Sequence, residues 1–151
     1  MKKTIFFIIV IIVVIMIQAC STSKAVVARN IDLSQYSYVI LANESSGDRE
    51  LDDVIMSIQN EICDTKLTVI SAKEGLNKIS QGNFVLTPQI HVTSEKWDGG
   101  STYITITFYD YNTNQNLAVI KSSGIGLSVS HDQTIAINAI SKKLKEIFGS
   151  K

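Results

Sequence analysis

The sequence predicts one small α+β domain, a single sandwich in the order β-α-β-α-β-β-β-α, with a mixed sheet, an antiparallel meander and helices on one face. Apolar residues first recur at helical spacing, in segments that alternate with short strand-like runs. From Phe84 onward the period changes to two, which is typical of half-buried strands. We expect this domain to occupy residues 36–151.

Residues 1–19 have the layout of a secretory signal peptide. Lys2 and Lys3 form a cationic head, and residues 5–17 form an unbroken apolar run. A membrane-spanning helix needs roughly 20 apolar residues, so this run is short for a transmembrane segment. The segment therefore predicts export and cleavage.

The residues before Cys20 resemble the lipobox of bacterial lipoproteins. Ile17 is the aliphatic residue and Ala19 the small one, whereas Gln18 departs from the more usual Ser, Thr or Ala. The resemblance implies cleavage before Cys20 and acylation of its sulfur with palmitate or similar chains, two or three of which hold a protein stably on a membrane. Ordinary signal cleavage nearby and an uncleaved anchor are the alternatives.

The resemblance also implies a place in the cell envelope. Ser21 after the cysteine resembles the residue that sorts such lipoproteins to the cell outer membrane in some bacteria, with the domain facing the periplasm. Residues 20–35 are then expected to be the lipidated cysteine and a flexible tether, since they are polar and lack a sustained period. A strand that begins within residues 25–28 is the alternative.

The first half of the domain predicts two strands, each followed by a helix. Residues 36–42 are β-branched and aromatic and form the first strand, and residues 67–71 form the second. Asp48 caps the first helix. The apolar stripe of this helix is Leu51, Val54, Ile55, Ile58 and Ile62. Residues 72–80 predict a short helix with Leu76 and Ile79 inward, and crossovers of this kind favour parallel pairing.

The second half predicts three antiparallel strands and a closing helix. The strands begin at Phe84, Thr102 and Leu117, with turns at residues 98–100 and 112–116. Pro88 lacks an N–H, which predicts an edge position or a bulge. Gly124 and Gly126 predict a bulge or bend. The last helix is expected over residues 133–148, capped by residue 130 or 132.

The element order, the turn at residues 110–114, Gly124 and the Ala-rich closing helix resemble the superfamily of the curli-assembly lipoprotein and the amino-terminal domain of TolB. Members of that group serve envelope assembly, secretion or cell-wall synthase activation. The resemblance therefore implies a role other than catalysis, although a shared fold does not by itself establish a function.

The sequence offers little catalytic or metal-binding chemistry. Basic and acidic residues are equal at 14 each, which gives no electrostatic footprint for nucleic acid. His91 and His131 lie far apart without zinc-type spacing. Cys63 is the second of two cysteines and is expected to be a small buried side chain, with a reactive or intermolecular thiol as the alternative. We expect no catalytic residue, no metal, no cofactor and no enzymatic activity.

Four aromatic residues are the candidate binding residues. They are Trp97, Tyr103, Tyr109 and Tyr111. If helices cover one side of the sheet, these rings lie on the open side, where aromatic residues favour binding. The alternative is that tyrosine and threonine simply stabilise a wet strand face.

The sequence thus predicts a membrane-anchored cell-envelope lipoprotein with a non-catalytic domain that binds a protein partner or forms a homo-oligomer, in envelope assembly or secretion. The alternative is a lipoprotein that binds a small ligand or cell-wall carbohydrate by stacking on the same aromatic residues. A concave pocket under Trp97 would favour the ligand, and a flat open sheet would favour a protein.

Overall fold

The structure is a computed structural model, and it describes residues 20–42, 44–97 and 100–151. The predicted signal peptide, residues 1–19, lies outside the described residues, and so do Ile17, Gln18 and Ala19 of the lipobox. The middle of the predicted turn, Asp98 and Gly99, also lies outside them.

The described chain folds into one six-stranded mixed sheet with three helices, which confirms the predicted α+β class. The strand order across the sheet is β1-β6-β5-β4-β2-β3. The strands are β1 Cys20–Val27, β2 Tyr36–Val39, β3 Thr68–Val69, β4 Phe84–Ser94, β5 Ser101–Asp110 and β6 Asn116–Ile125. The helices are α1 Arg49–Cys63, α2 Ala72–Ser80 and α3 Val129–Phe148, and a short 3-10 helix spans Leu33–Gln35.

Strand β1 is the largest departure from expectation. Residues 20–35 were expected to be a flexible tether, but Cys20–Val27 pairs antiparallel with β6 along its whole length. The prediction of a tether is therefore wrong, and the alternative strand at residues 25–28 identified only the end of β1. An edge strand buries little: Ala25 packs against the core while Ser21 and Ser23 are exposed, so no apolar period marks this strand.

The main core lies between one face of the sheet and helices α1 and α3. Helix α1 begins where predicted, with the Asp48 side chain accepting a hydrogen bond from the Glu50 N–H at 3.1 Å. Its predicted stripe is confirmed: Val54, Ile55, Ile58 and Ile62 are buried, and Leu51 packs at the margin. Helix α3 begins four residues earlier than expected because Ser128 is its cap.

Helix α2 lies on the other face of the sheet, contrary to the prediction that all helices share one face. Val39 and Leu86 point into the main core, so their buried neighbours Ile40 and Val85 point away from it. A Cβ on Gly75 of α2 would collide with the Ile40 side chain, so this helix packs there. Leu76, which was predicted to face inward, is 61% exposed.

Gly124 was predicted to mark a bulge or bend, but the strand pairing has no bulge at this residue. The pairing of β5 with β6 runs without interruption past Gly124, and its one irregularity falls between Phe108 and Tyr109. A Cβ at Gly124 would instead lie 2.6 Å from the Ala136 nitrogen and 2.9 Å from the Ile135 Cβ. Glycine is needed here because α3 packs directly on the strand backbone.

Pro88 occupies a free edge, which confirms one of its two predicted roles. Strand β2 pairs with β4 only as far as Leu86, and beyond this point no strand of the described residues pairs with β4 on that side. The next outward N–H, that of Ile90, donates to Glu44 Oε2 at 2.9 Å. Proline and a capping carboxylate thus protect this part of the edge.

Candidate functional site

The side of the sheet that α1 and α3 leave uncovered is called here the open face. Along β4, β5, β6 and β1, alternate side chains point to it and are exposed or half-buried. They are mainly hydroxyl-bearing and basic residues. The open face comprises Thr22, Lys24 and Val26 of β1, Val119, Lys121, Ser123 and Ile125 of β6, Tyr103, Thr105, Thr107 and Tyr109 of β5, and Gln89, His91 and Thr93 of β4.

The four predicted aromatic residues do not form one patch. Tyr103 is on the open face and 51% exposed, and Trp97 is 60% exposed in the loop between β4 and β5. Tyr109 is on the same face but lies six residues along β5, about 20 Å away at a strand rise near 3.3 Å. Its hydroxyl donates to Gln89 Oε1 at 3.3 Å. Tyr111 lies just beyond β5, so the four residues divide between the two ends of the sheet.

A basic row crosses the open face. Lys24 of β1 lies directly opposite Lys121 of β6, both are exposed, and the row continues through Thr105 to His91. Like charges that face each other across an antiparallel pair are destabilising. The open-face residues named above include no carboxylate. This part of the surface is therefore suited to an acidic or phosphate-bearing partner, and sequence reasoning missed it because β1 was not predicted.

A shallow depression of about 340 Å³ lies on this surface beside Tyr103. Lys24, Lys121 and the hydroxyls of Thr22 and Ser123 line it, and the last two are hydrogen-bonded at 2.7 Å. The depression therefore offers basic and hydroxyl groups beside an aromatic ring.

The end of the sheet at which β1 begins is called here the Cys20 end. Cys20 lies opposite Ile125, which in turn lies opposite Ser101, so the loop carrying Trp97 projects from the same end. Three large apolar side chains are exposed there: Leu127 at 72%, Trp97 at 60% and Ile125 at 45%. The Cys20 end therefore exposes a cluster of large apolar side chains.

The turn at the other end of the sheet is a structural unit built on Asp110. Its Oδ1 accepts bonds from the backbone N–H of Asn112 at 2.9 Å and of Thr113 at 2.8 Å, and its Oδ2 accepts the Tyr36 hydroxyl at 2.9 Å. Burial alone would raise the pKa of Asp110, but the bonds from Thr113, Tyr36 and Asn112 together lower it. Burial, with the bond to Asp110, raises the pKa of Tyr36 to about 12. The turn sequence at residues 110–114 therefore stabilises the fold.

The loop before α1 is occupied by a carboxylate from its own chain. Asp52 Oδ1 accepts the Ser46 N–H at 2.6 Å, and the bonds from Ser46 lower the pKa of Asp52. Residues 45–47 therefore form a turn that leads into the Asp48 cap of α1.

The remaining candidate groups lie apart. Among residues 20–42, 44–97 and 100–151, no three side chains of the metal-ligating types come together. His91 is exposed on the open face, whereas the Nδ1 of His131 accepts the Leu127 N–H at 3.3 Å. Cys63 is partly exposed rather than fully buried as expected. In the described part of the chain, no helix is long and apolar enough to cross a membrane.

Comparison with known proteins finds structures of similar fold but no matching family. No family model and no curated protein match this chain. Its structure is similar to that of the PelC dodecamer from Paraburkholderia phytofirmans, with a TM-score of 0.55 and 14% identity over 87% of this chain and 100% of that one. A single-substitution form of that dodecamer gives a TM-score of 0.53, again at 14% identity and with the same coverage of both chains.

A PDZ domain protein from Parabacteroides distasonis is also similar, with a TM-score of 0.55 and 13% identity. The match covers 89% of this chain but only 37% of that larger protein. At these identities the comparisons show a shared fold alone.

Proposed function

We propose that this chain is a lipid-anchored protein of the cell envelope whose α+β domain assembles with copies of itself and catalyses no reaction. The observation that carries the proposal is a sheet with two free edges, each bordered by exposed apolar side chains. The similarity in fold to a protein that forms dodecamers supports it. The predicted likeness to the curli-assembly superfamily stays a prediction.

The two edges differ in structure and lie on opposite sides of the subunit. Strand β1 carries Val26 and Val27, which are 55% and 41% exposed, and among the described residues no strand pairs with its outer side. At the other edge, Val69 of β3 is 41% exposed beside α2. Unlike surfaces on opposite sides of a subunit suit head-to-tail contacts, which generate rings when the rotation closes.

The experiment compares the mass of the processed lipoprotein, purified in mild detergent, with that of three variants. Val27→Lys and Val69→Lys each place a charge at one edge and should each give monomers, because burying an unpaired charge in a contact is costly. Met56→Lys is the matched control, since Met56 is 62% exposed on α1 away from both edges, and it should keep the mass of the wild type.

Mixing the two edge variants provides the sharper test. In a head-to-tail contact each variant retains one intact surface, so the mixture should form a dimer that grows no further. A monomeric wild type, or edge variants with the wild-type mass, would remove self-assembly from the proposal.

The lipid anchor is tested separately. Growth with labelled palmitate should mark the wild-type protein, and Cys20→Ser should abolish the label. A label that persists in this variant would exclude Cys20 as the anchor.

The alternative predicted from the sequence, a small-ligand or cell-wall carbohydrate binder, is favoured by one observation, the basic depression beside Tyr103. Cell-wall fragments titrated into the protein should then bind, and Tyr103→Ala together with Lys121→Gln should abolish binding. Unchanged binding in these variants would exclude this site.

A further inference from the structure

We propose that the Cys20 end is a membrane-docking surface, which places Trp97, Ile125 and Leu127 in the interface of the leaflet that holds the acyl chains. The partner is a lipid surface. The inference rests on the proposed lipid anchor, but it goes beyond it because it assigns the domain itself a contact with the bilayer.

The proposed anchor lies at the very start of the folded sheet. Cys20 is the first residue of β1 and already lies opposite Ile125, so no free spacer separates the acylated residue from the folded sheet. A strand residue advances the chain by only about 3.3 Å. Acyl chains buried in the bilayer therefore hold this end of the sheet at the level of the lipid headgroups.

The side chains at the Cys20 end are of types found at membrane interfaces. Leu127, Trp97 and Ile125 are 72%, 60% and 45% exposed, and they lie together at the end of the sheet where the anchored residue begins β1. Tryptophan is enriched at membrane interfaces because its ring is apolar while its N–H remains able to donate to water or headgroups. These side chains therefore match the environment in which the anchor would place them.

Charged side chains surround these apolar residues. Lys96, beside Trp97, pairs with Asp48, and Glu95 accepts the Ser101 hydroxyl at 3.1 Å, so these two carboxylates have partners. Lys24 and Lys121 lie four residues from the Cys20 end on the open face, about 13 Å along the strands. Lysines near a membrane surface attract anionic lipids, an attraction that salt weakens. These two lysines therefore add an attraction to an anionic leaflet, whereas Glu95 keeps its negative charge.

Trp97 is the only tryptophan in the chain, so its fluorescence reports on this surface alone. The processed lipoprotein is reconstituted into vesicles of phosphatidylethanolamine and phosphatidylglycerol. We expect the emission to shift to shorter wavelength relative to the detergent-free Cys20→Ser protein. We also expect quenching by lipids that carry a nitroxide near the carbonyl, and weaker quenching by lipids labelled at the chain end.

Substitutions distinguish docking from simple tethering. Leu127→Asp and Ile125→Asp should reduce the quenching by lipid-borne nitroxide while the protein still floats with the vesicles. Leu76→Asp, at a site 61% exposed on α2, is the matched control and should leave the quenching unchanged.

The outcomes separate this inference from the proposed anchor. Wild-type protein that floats with vesicles but shows no nitroxide quenching of Trp97 overturns docking and leaves the anchor intact. Protection of Trp97 from aqueous iodide without nitroxide quenching indicates burial against another subunit and also overturns docking. An unmodified Cys20 thiol by mass spectrometry, with no flotation, overturns both.

Discussion

Replacing Gly124 with alanine should destabilise the domain, although alanine is usually the better residue. The backbone of Gly124 is ordinary strand, since its φ is not positive. In such a position Gly→Ala normally stabilises by about 0.4–1 kcal/mol, because it restricts the unfolded chain. At Gly124 the added methyl group would lie 2.6 Å from the Ala136 nitrogen and 2.9 Å from the Ile135 Cβ.

The size of the effect follows from these distances. Carbon atoms in contact prefer about 3.5–4.0 Å, so α3 must move outward by roughly 1 Å. A gap of that size removes about a quarter to a half of the van der Waals attraction of each contact that opens. Overpacking of cores generally costs about 1–3 kcal/mol. Because backbone atoms of α3 block the methyl group, we take the upper end and subtract the gain in the unfolded state. The net loss is about 2 kcal/mol.

Urea unfolding followed by circular dichroism measures this difference. For a domain of this size the loss corresponds to a fall in Tm of roughly 8 °C. Ser123→Ala is the matched control: it alters the adjacent residue on the open face, and its exposed bond to Thr22 should contribute less than about 0.5 kcal/mol. A Gly124→Ala protein as stable as the wild type would refute the close contact between α3 and β6.

Four further predictions concern ionisable groups. The pKa of Asp110 is lowered in the folded protein, so its contribution to stability is present above the unfolded pKa and is lost as the pH falls through the folded pKa. Asp110→Asn should therefore flatten the acid limb of the pH–stability curve. Tyr36, whose folded pKa is about 12, contributes stability that is lost as the pH rises from about 10, and Tyr36→Phe should flatten that limb. Lys24→Glu should raise the urea midpoint of unfolding, because it replaces the repulsion between Lys24 and Lys121 with an attraction. Lys24→Gln should give an intermediate midpoint. A lower midpoint in both variants would contradict the pairing of β1 with β6. Neither carboxylate oxygen of the buried Asp132 has a hydrogen-bond partner in the described part of the chain. Because burying an unpaired charge is costly, Asp132→Asn should raise the free energy of unfolding by about 1 kcal/mol. A large decrease in the free energy of unfolding would contradict the absence of a partner for Asp132.

The elements that were predictable are those whose burial repeats along the sequence. Helix α1 buries one side and exposes the other, so its cap and its apolar stripe were both visible. Strand β5 alternates between core and solvent at nearly every position, and this placed Tyr103 and Tyr109 on the outward face. A periodic burial pattern leaves a periodic sequence pattern.

The elements that were not predictable depend on neighbours distant in sequence. Strand β1 is exposed on most of its surface and becomes a strand only by pairing with β6, about 100 residues later. The need for Gly124 likewise arises from α3 and not from the conformation of β6. The basic row of Lys24 and Lys121 requires the register of β1, so no reading of either segment alone would reveal it.

The face of the sheet on which α2 packs depends on the order of the strands. The chain moves from β2 outward to β3 through α1, and then back past β2 to β4 through α2. Crossovers between parallel strands are right-handed, so two crossovers in opposite directions place their helices on opposite faces. The sequence shows that both helices connect parallel strands, but the direction of each step is a property of the folded sheet.

The proposed anchor, docking end and assembly edges are compatible because they occupy different sides of one sheet. The strands end at the Cys20 end, whereas the free edges β1 and β3 face sideways. If the Cys20 end lies on a bilayer, contacts between edges extend the assembly parallel to the membrane. Each added subunit then brings its own anchor, and confinement to the membrane raises the effective concentration of the edges. Val27→Lys should therefore abolish assembly while leaving nitroxide quenching of Trp97 intact, and loss of both would mean that the edge and the end do not act independently.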